Sequence, residues 1–133
     1  MYAFDYHRPT SLADAKTLYA QLEDPMYVSG GMTLIPSMKQ RLAAPSDLID
    51  LSSLSELEGI EKLNDAQGSI LRVGGMTRYN EVTGNALIQR HLPVLGQVAA
   101  VIGDNQVRNR GTLGGSIANA DPAADLPAAL LAM

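Results

Sequence analysis

The chain has 133 residues, a net charge of −4, 46% apolar residues and no cysteine. That length suits one domain or two small subdomains, and ten scattered basic residues in an acidic chain leave no charge footprint for nucleic acid or an anionic membrane. Without thiolates there is no disulfide, no Cys-ligated zinc and no thiolate-held iron–sulfur cluster, so redox chemistry here requires a bound organic cofactor.

No apolar run reaches membrane-span length, and Met1-Tyr2-Ala3-Phe4-Asp5 lacks the basic-then-apolar plan of a signal peptide. The expected location is cytoplasmic. The core is expected to be aliphatic, since the chain carries one Phe, five Tyr and no Trp.

In chain order, Tyr2 to Tyr6 reads as a short strand closed by His7-Arg8-Pro9. Ser11 is a good N-cap with Asp14 three residues on as a capping-box-like partner. Leu12, Ala15, Leu18, Tyr19 and Leu22 recur at helical spacing, which predicts an amphipathic helix over 11–22, ended by Asp24-Pro25. Met26 to Val28 is a strand running into Ser29-Gly30-Gly31. A second helix is predicted from near Thr33, where Pro36 fits the first turn. Ala44-Pro45 breaks the chain, and Asp47 to Leu51 is a strand, giving a β-α-β-α-β unit over 2–51.

Gly59 to Leu63 and Ser69 to Val73 read as a hairpin joined by the turn-rich Asn64-Asp65-Ala66-Gln67-Gly68. From Arg78 to Ile102 two or three short helices are expected, interrupted at His91-Leu92-Pro93. Gly111 to Ala120 reads as a glycine-rich loop running into a strand. Asp125 to Met133 reads as a helix that meets no stop signal, which points to a truncated chain.

Two glycine turns carry the functional signal. In Val28-Ser29-Gly30-Gly31-Met32-Thr33-Leu34 a strand feeds two glycines and a helix follows, so backbone N–H groups and the positive end of the helix dipole become available to a phosphate. Alone this signal is weak and reads first as a tight turn with no ligand; it is neither a Gly-x-Gly-x-x-Gly fingerprint nor a Walker A loop. The segment from Gly103 to Pro122 gathers backbone donors, with Thr112 and Ser116 flanking Gly114-Gly115 and Asp121 and Asp125 beyond. An aspartate there serves either as an acceptor for ribose hydroxyls or as a helix cap. Lys39, Arg41, Arg108 and Arg110 read as solvated surface charges and stay outside the site. His7 and His91 have no partner at metal-ligand spacing and read as structural.

Residues 29–42 and 103–127, together with the opening Phe4-Asp5-Tyr6-His7-Arg8-Pro9-Thr10-Ser11-Leu12, resemble the FAD-binding subunits of the molybdenum hydroxylase family, of xanthine dehydrogenase and carbon monoxide dehydrogenase type. The resemblance spans nearly the whole chain. It implies an α+β, PCMH-type FAD-binding fold, with an N-terminal FAD-binding subdomain over 1–53 and an incomplete second one over 54–133. On the same resemblance, the family's C-terminal subdomain is expected to be absent.

The resemblance also implies that Ser29, Gly30, Gly31, Met32 and Thr33 wrap the FAD pyrophosphate. Thr112, Leu113, Gly114, Gly115 and Ser116 would meet the phosphate and ribityl region. Asp125 matches a cofactor-bonding aspartate, and Ile102 falls near the isoalloxazine ring, with plain core packing as its other reading. Met32 stands where relatives often carry a polar residue, which leaves its backbone N–H as the donor there. No catalytic acid, base or nucleophile and no metal ligand is expected.

The implied function is electron transfer from the 2Fe-2S clusters of one partner subunit, fed by a molybdopterin-binding large subunit, through FAD to an external acceptor such as NAD⁺, a quinone or oxygen. Two other readings stand beside it: a nucleotide- or phosphate-binding module without redox turnover, and a structural fragment completed by another segment.

Overall fold

Three short strands, β1 (Asp5–His7), β2 (Pro25–Val28) and β3 (Asp47–Asp50), form an all-parallel sheet in the order β1-β3-β2. The computed structural model describes residues 1–65 and 68–133. The chain divides into two compact units, Met1–Glu56 and Leu57–Met133, where the division was expected after residue 53.

In the first unit, α1 (Leu12–Gln21) joins β1 to β2 and α2 (Leu34–Lys39) joins β2 to β3, the expected β-α-β-α-β order. Parallel strands need such crossovers, because a tight turn can only reverse the chain. The last strand to form in sequence takes the central place. Asp5 pairs with Asp47 from one side and Pro25 from the other, so Asp47, Leu48 and Ile49 are all buried. Ala15, Met38, Leu54 and Pro9 are further buried apolar residues of this unit.

The first strand begins later than Tyr2, because pairing with β3 starts at Asp5, whose N–H donates to the Ser46 carbonyl. Ser11 caps α1 by accepting from the Asp14 N–H at 3.1 Å. The Asp14 carboxylate accepts from Thr10 N–H rather than from the cap residue itself. On α1 only Ala15 is fully buried, and the exposed Tyr19 ring stacks on Tyr27 with centroids 4.7 Å apart.

The second unit opens with an antiparallel hairpin, β4 (Ile60–Asp65) and β5 (Gly68–Val73). Of the expected turn, Ala66 and Gln67 lie outside the described residues. Three helices follow where two or three were expected: α3 (Tyr79–Gly84), α4 (Ala86–His91) and α5 (Pro93–Val101). Asn85 caps α4 by accepting from the N–H groups of Leu87 and Ile88, and Pro93 opens α5 at the first helical position. Beyond them lie α6 (Asn105–Arg108), α7 (Leu113–Asn119) and α8 (Asp125–Leu131). Tyr79, Val82, Ile88, Leu95, Ala99, Leu113 and Leu126 form one buried cluster.

One expectation is overturned. Gly111–Ala120 is not a loop running into a strand; residues 113–119 are α7. Thr112, in extended geometry, caps it by accepting from the Gly115 N–H, and Ala120 ends it in the left-handed region. Glycine costs about 1 kcal/mol per helical position relative to alanine. At position 114 packing outweighs that cost, because a Cβ there would lie 2.7 Å from the Gly75 backbone. The helix over 125–131 ends on an Ala132 N–H that reaches back to the carbonyls of Ala128 and Ala129.

Candidate functional site

The first turn leaves the C-terminal end of β2, the end at which open parallel sheets present loops to ligands. Val28 still accepts from the Leu51 N–H, and then the chain turns away. Gly31 adopts φ +72°, and a Cβ there would sit 2.9 Å from Ile35 Cγ1, so glycine is required on both counts.

Among the described residues, nothing accepts from the backbone N–H groups of Gly30, Gly31, Met32, Thr33 or Leu34. Their carbonyl neighbours are used: Gly31 O accepts from Ile35 N–H and Thr33 O from Ser37 N–H. Thr33 gives α2 no side-chain cap. Gly30 and Gly31 are half-buried, while Met32 and Thr33 are exposed. A row of donors without protein acceptors suits a group rich in anionic oxygens, and a diphosphate has that chemistry. The only donor at position 32 is its N–H, since a thioether is no donor.

The second turn differs in kind. Leu113 N–H donates to Thr77 O at 2.9 Å, Gly114 N–H to Gly75 O at 2.9 Å and Ser116 N–H to Thr112 O at 3.1 Å, while Gly115 N–H donates to Thr112 Oγ1 at 3.1 Å. The amides of residues 113–116 are therefore all used inside the unit. The Leu113 side chain is buried in the cluster. What the turn retains is a closely approachable backbone and the Ser116 hydroxyl, which lies beside the Tyr79 phenol. Burial raises the Tyr79 pKa above its ordinary 10.0, and the Ser116 hydroxyl opposes the shift.

The remaining expected positions lie elsewhere in the second unit. Ile102 ends α5 half-buried against the cluster. Its carbonyl accepts from Arg108 Nη1 at 3.2 Å, as does that of Gly103 at 2.9 Å. Arg108 thus holds the end of α5, where a solvated surface charge was expected. Asp125 is the exposed first residue of α8 and makes no side-chain cap. Asp121 accepts from Ala123 N–H. Arg41 stands 5.5 Å over the Tyr2 ring. His7 pairs with Asp47 at 2.7 Å. No cluster of metal-binding side chains occurs among the described residues.

Sequence reasoning missed the support beneath the second turn. Gly74, Gly75 and Thr77 run alongside it, joined by the bridge between Arg78 and Thr112. A Cβ at Gly74 would stand 2.2 Å from the Leu57 carbonyl oxygen. The signal was present as a third Gly-Gly pair, directly after β5.

Comparison with known proteins places this geometry in context. The family described as the FAD binding domain in molybdopterin dehydrogenase matches residues 2–133. The carbon monoxide dehydrogenase medium chain of Hydrogenophaga pseudoflava is 42% identical over 131 residues, covering 98% of this chain and 44% of the relative. The xanthine dehydrogenase FAD-binding subunit of Escherichia coli O157:H7 is 33% identical over 120 residues, 90% of this chain and 40% of the relative. Among solved structures, the H. pseudoflava carbon monoxide dehydrogenase that lacks the Mo-pyranopterin moiety superimposes with a TM-score of 0.91 at 43% identity, over 96% of this chain and 43% of that one. Quinoline 2-oxidoreductase from Pseudomonas putida 86 gives 0.88 at 37% identity, over 95% and 43%. The chain spans less than half the length of these relatives. It belongs to the family of FAD-binding domains of molybdopterin dehydrogenases.

Proposed function

We propose that this chain is the FAD-holding portion of a molybdenum hydroxylase subunit, joined in the assembly by an iron–sulfur subunit and a molybdopterin-binding large subunit. The observation that carries the reading is the run of N–H groups from Gly30 to Leu34 with no acceptor among the described residues, in a chain of this family. In this reading Ser29, Gly30, Gly31, Met32 and Thr33 hold the diphosphate. Thr112, Leu113, Gly114, Gly115 and Ser116 offer a backbone surface and hydroxyls, and Ile102 and Asp125 add an apolar and an acceptor contact.

FAD, when bound, accepts and releases electrons singly or in pairs, which suits it to stand between iron–sulfur donors and an external acceptor. The chain's own contribution is binding and orientation. Gly31 lets the backbone turn without a side chain in the way, and the Thr112 cap holds α7 in place. No group of the chain is needed as an acid or base. Residues 1–133 carry no cysteine and so hold no thiolate-ligated cluster themselves; in this reading the clusters lie elsewhere in the assembly. Relatives are named for carbon monoxide, xanthine and nicotine; substrate choice in this reading lies with the molybdenum subunit.

The test is titration of the purified chain with FAD, followed by flavin fluorescence and visible absorption, with ADP as competitor. Saturable uptake with a shifted flavin spectrum is expected. Binding of ADP with no preference for FAD would replace this reading with that of a nucleotide-binding module.

A further inference from the structure

In the first unit β2 and β3 lie side by side and parallel, with Val28 opposite Asp50. The Leu51 N–H closes this pairing on Val28 O at 3.0 Å. Asp50 is thus the last residue of the central strand, at the same carboxyl end from which the Gly30-Gly31 turn departs. Register partners on adjacent strands project to one face of the sheet. The turn folds over that face, since a Cβ at Gly31 would stand 3.5 Å from Val28 Cγ2. The Asp50 carboxylate therefore stands on the side that the turn covers, one strand away from it.

A carboxylate in that place works against a diphosphate, because like charges repel, yet three hydrogen bonds hold it there. The Ser52 N–H donates to Oδ1 at 2.8 Å, the Ser52 hydroxyl to Oδ2 at 2.9 Å, and the Tyr6 hydroxyl to Oδ2 as well. An ionised carboxylate offers about four acceptor positions, so one remains, on Oδ1, and Asp50 is only half-buried. The neighbour of a diphosphate that brings donors without negative charge is the sugar attached to it. Dinucleotide-binding β-α-β units use this layout: phosphates at the first turn, and about 20 residues on, at the end of the next strand, an acidic side chain on the ribose hydroxyls. Gly30 and Asp50 stand at that separation. The glycine spacing differs here, but the strand pairing that brings the acid beside the turn does not.

We infer that Asp50 is a ribose-binding residue: its carboxylate accepts a hydrogen bond from a hydroxyl of the adenosine ribose whose diphosphate meets the amides of residues 30–34. This rests on the function proposed above and adds to that site an acceptor that selects the sugar. The ribityl chain of FAD is the other hydroxyl-bearing neighbour of the diphosphate, and ADP, which lacks it, tells the two apart.

The experiment measures binding of FAD, ADP, 2′-deoxy-ADP and 3′-deoxy-ADP to wild type, Asp50→Ala and Asp50→Asn, with circular dichroism to check folding. On wild type, one of the two deoxy analogues should bind about ten-fold more weakly than ADP, the effect of one hydrogen bond to a charged group. That preference should vanish in Asp50→Ala and fall to about three-fold in Asp50→Asn, whose neutral amide keeps the shape and a weaker acceptor. Should Asp50→Ala fail to fold, Asp50→Asn decides. Equal binding of ADP and both analogues to wild type, or a preference undiminished in either variant, would overturn the proposal. An Asp50-dependent hydroxyl preference with FAD bound no more tightly than ADP keeps the ribose site and removes the flavin reading. Flavin uptake without that preference does the reverse, and failure of every nucleotide to bind overturns both.

Discussion

The Gly75 carbonyl oxygen accepts the Gly114 N–H at 2.9 Å, and a Cβ at position 114 would stand 2.7 Å from both Cα and O of Gly75. Two backbones touch here with no side chain between them. Gly114→Ala gains about 1 kcal/mol of helix propensity and meets overpacking of about 1–3 kcal/mol against a backbone that cannot rotate away. The net expectation is a lowered melting temperature, measured by circular dichroism. A variant more stable than wild type would contradict the contact.

Thr112→Ala removes the acceptor for the Gly115 N–H. Loss of such a cap costs about 1 kcal/mol, and the freed amide should exchange its hydrogen faster. Thr112→Ser keeps the oxygen and should retain most of the protection. Hydrogen exchange at Gly115 in the three forms decides the matter.

Gly31→Ala places a Cβ at φ +72°, 2.9 Å from Ile35 Cγ1. Left-handed geometry costs a non-glycine residue roughly 1–2 kcal/mol, and relief means rotating the turn's N–H groups out of their present directions. FAD retention should fall by more than the stability loss explains. Denaturation and flavin titration on the same preparation separate the two effects.

Acid should weaken the first unit through Asp47. The Ser46 hydroxyl first, and His7 second, hold its carboxyl below the ordinary 3.8. A depressed folded pKa means that the stabilisation is complete above the unfolded value and fades as pH falls through the folded one. Asp47→Asn should flatten that acid limb. An unchanged pH profile between wild type and Asp47→Asn, measured by urea denaturation, would refute the assignment.

The first unit was legible because Asp24-Pro25 and Ala44-Pro45 cut it into segments whose apolar spacing has one natural reading. Strand order was not, since placing β3 between its neighbours depends on which surfaces the crossovers cover. The glycine turns were legible as turns; the state of their amides was not. Whether Gly114 N–H is available depends on Gly75, which lies far away in sequence and close in space. The same contact hid α7, because glycine's poor helix propensity is a local quantity and the reason for glycine there is not.

The internal satisfaction of the amides at 113–116 has a thermodynamic consequence. That segment is preorganised: its shape is maintained by its own protein bonds and does not wait for a ligand. Any loss of backbone freedom on complex formation therefore falls mainly on residues 30–34, and rigidifying that stretch is where a designer would look for tighter binding.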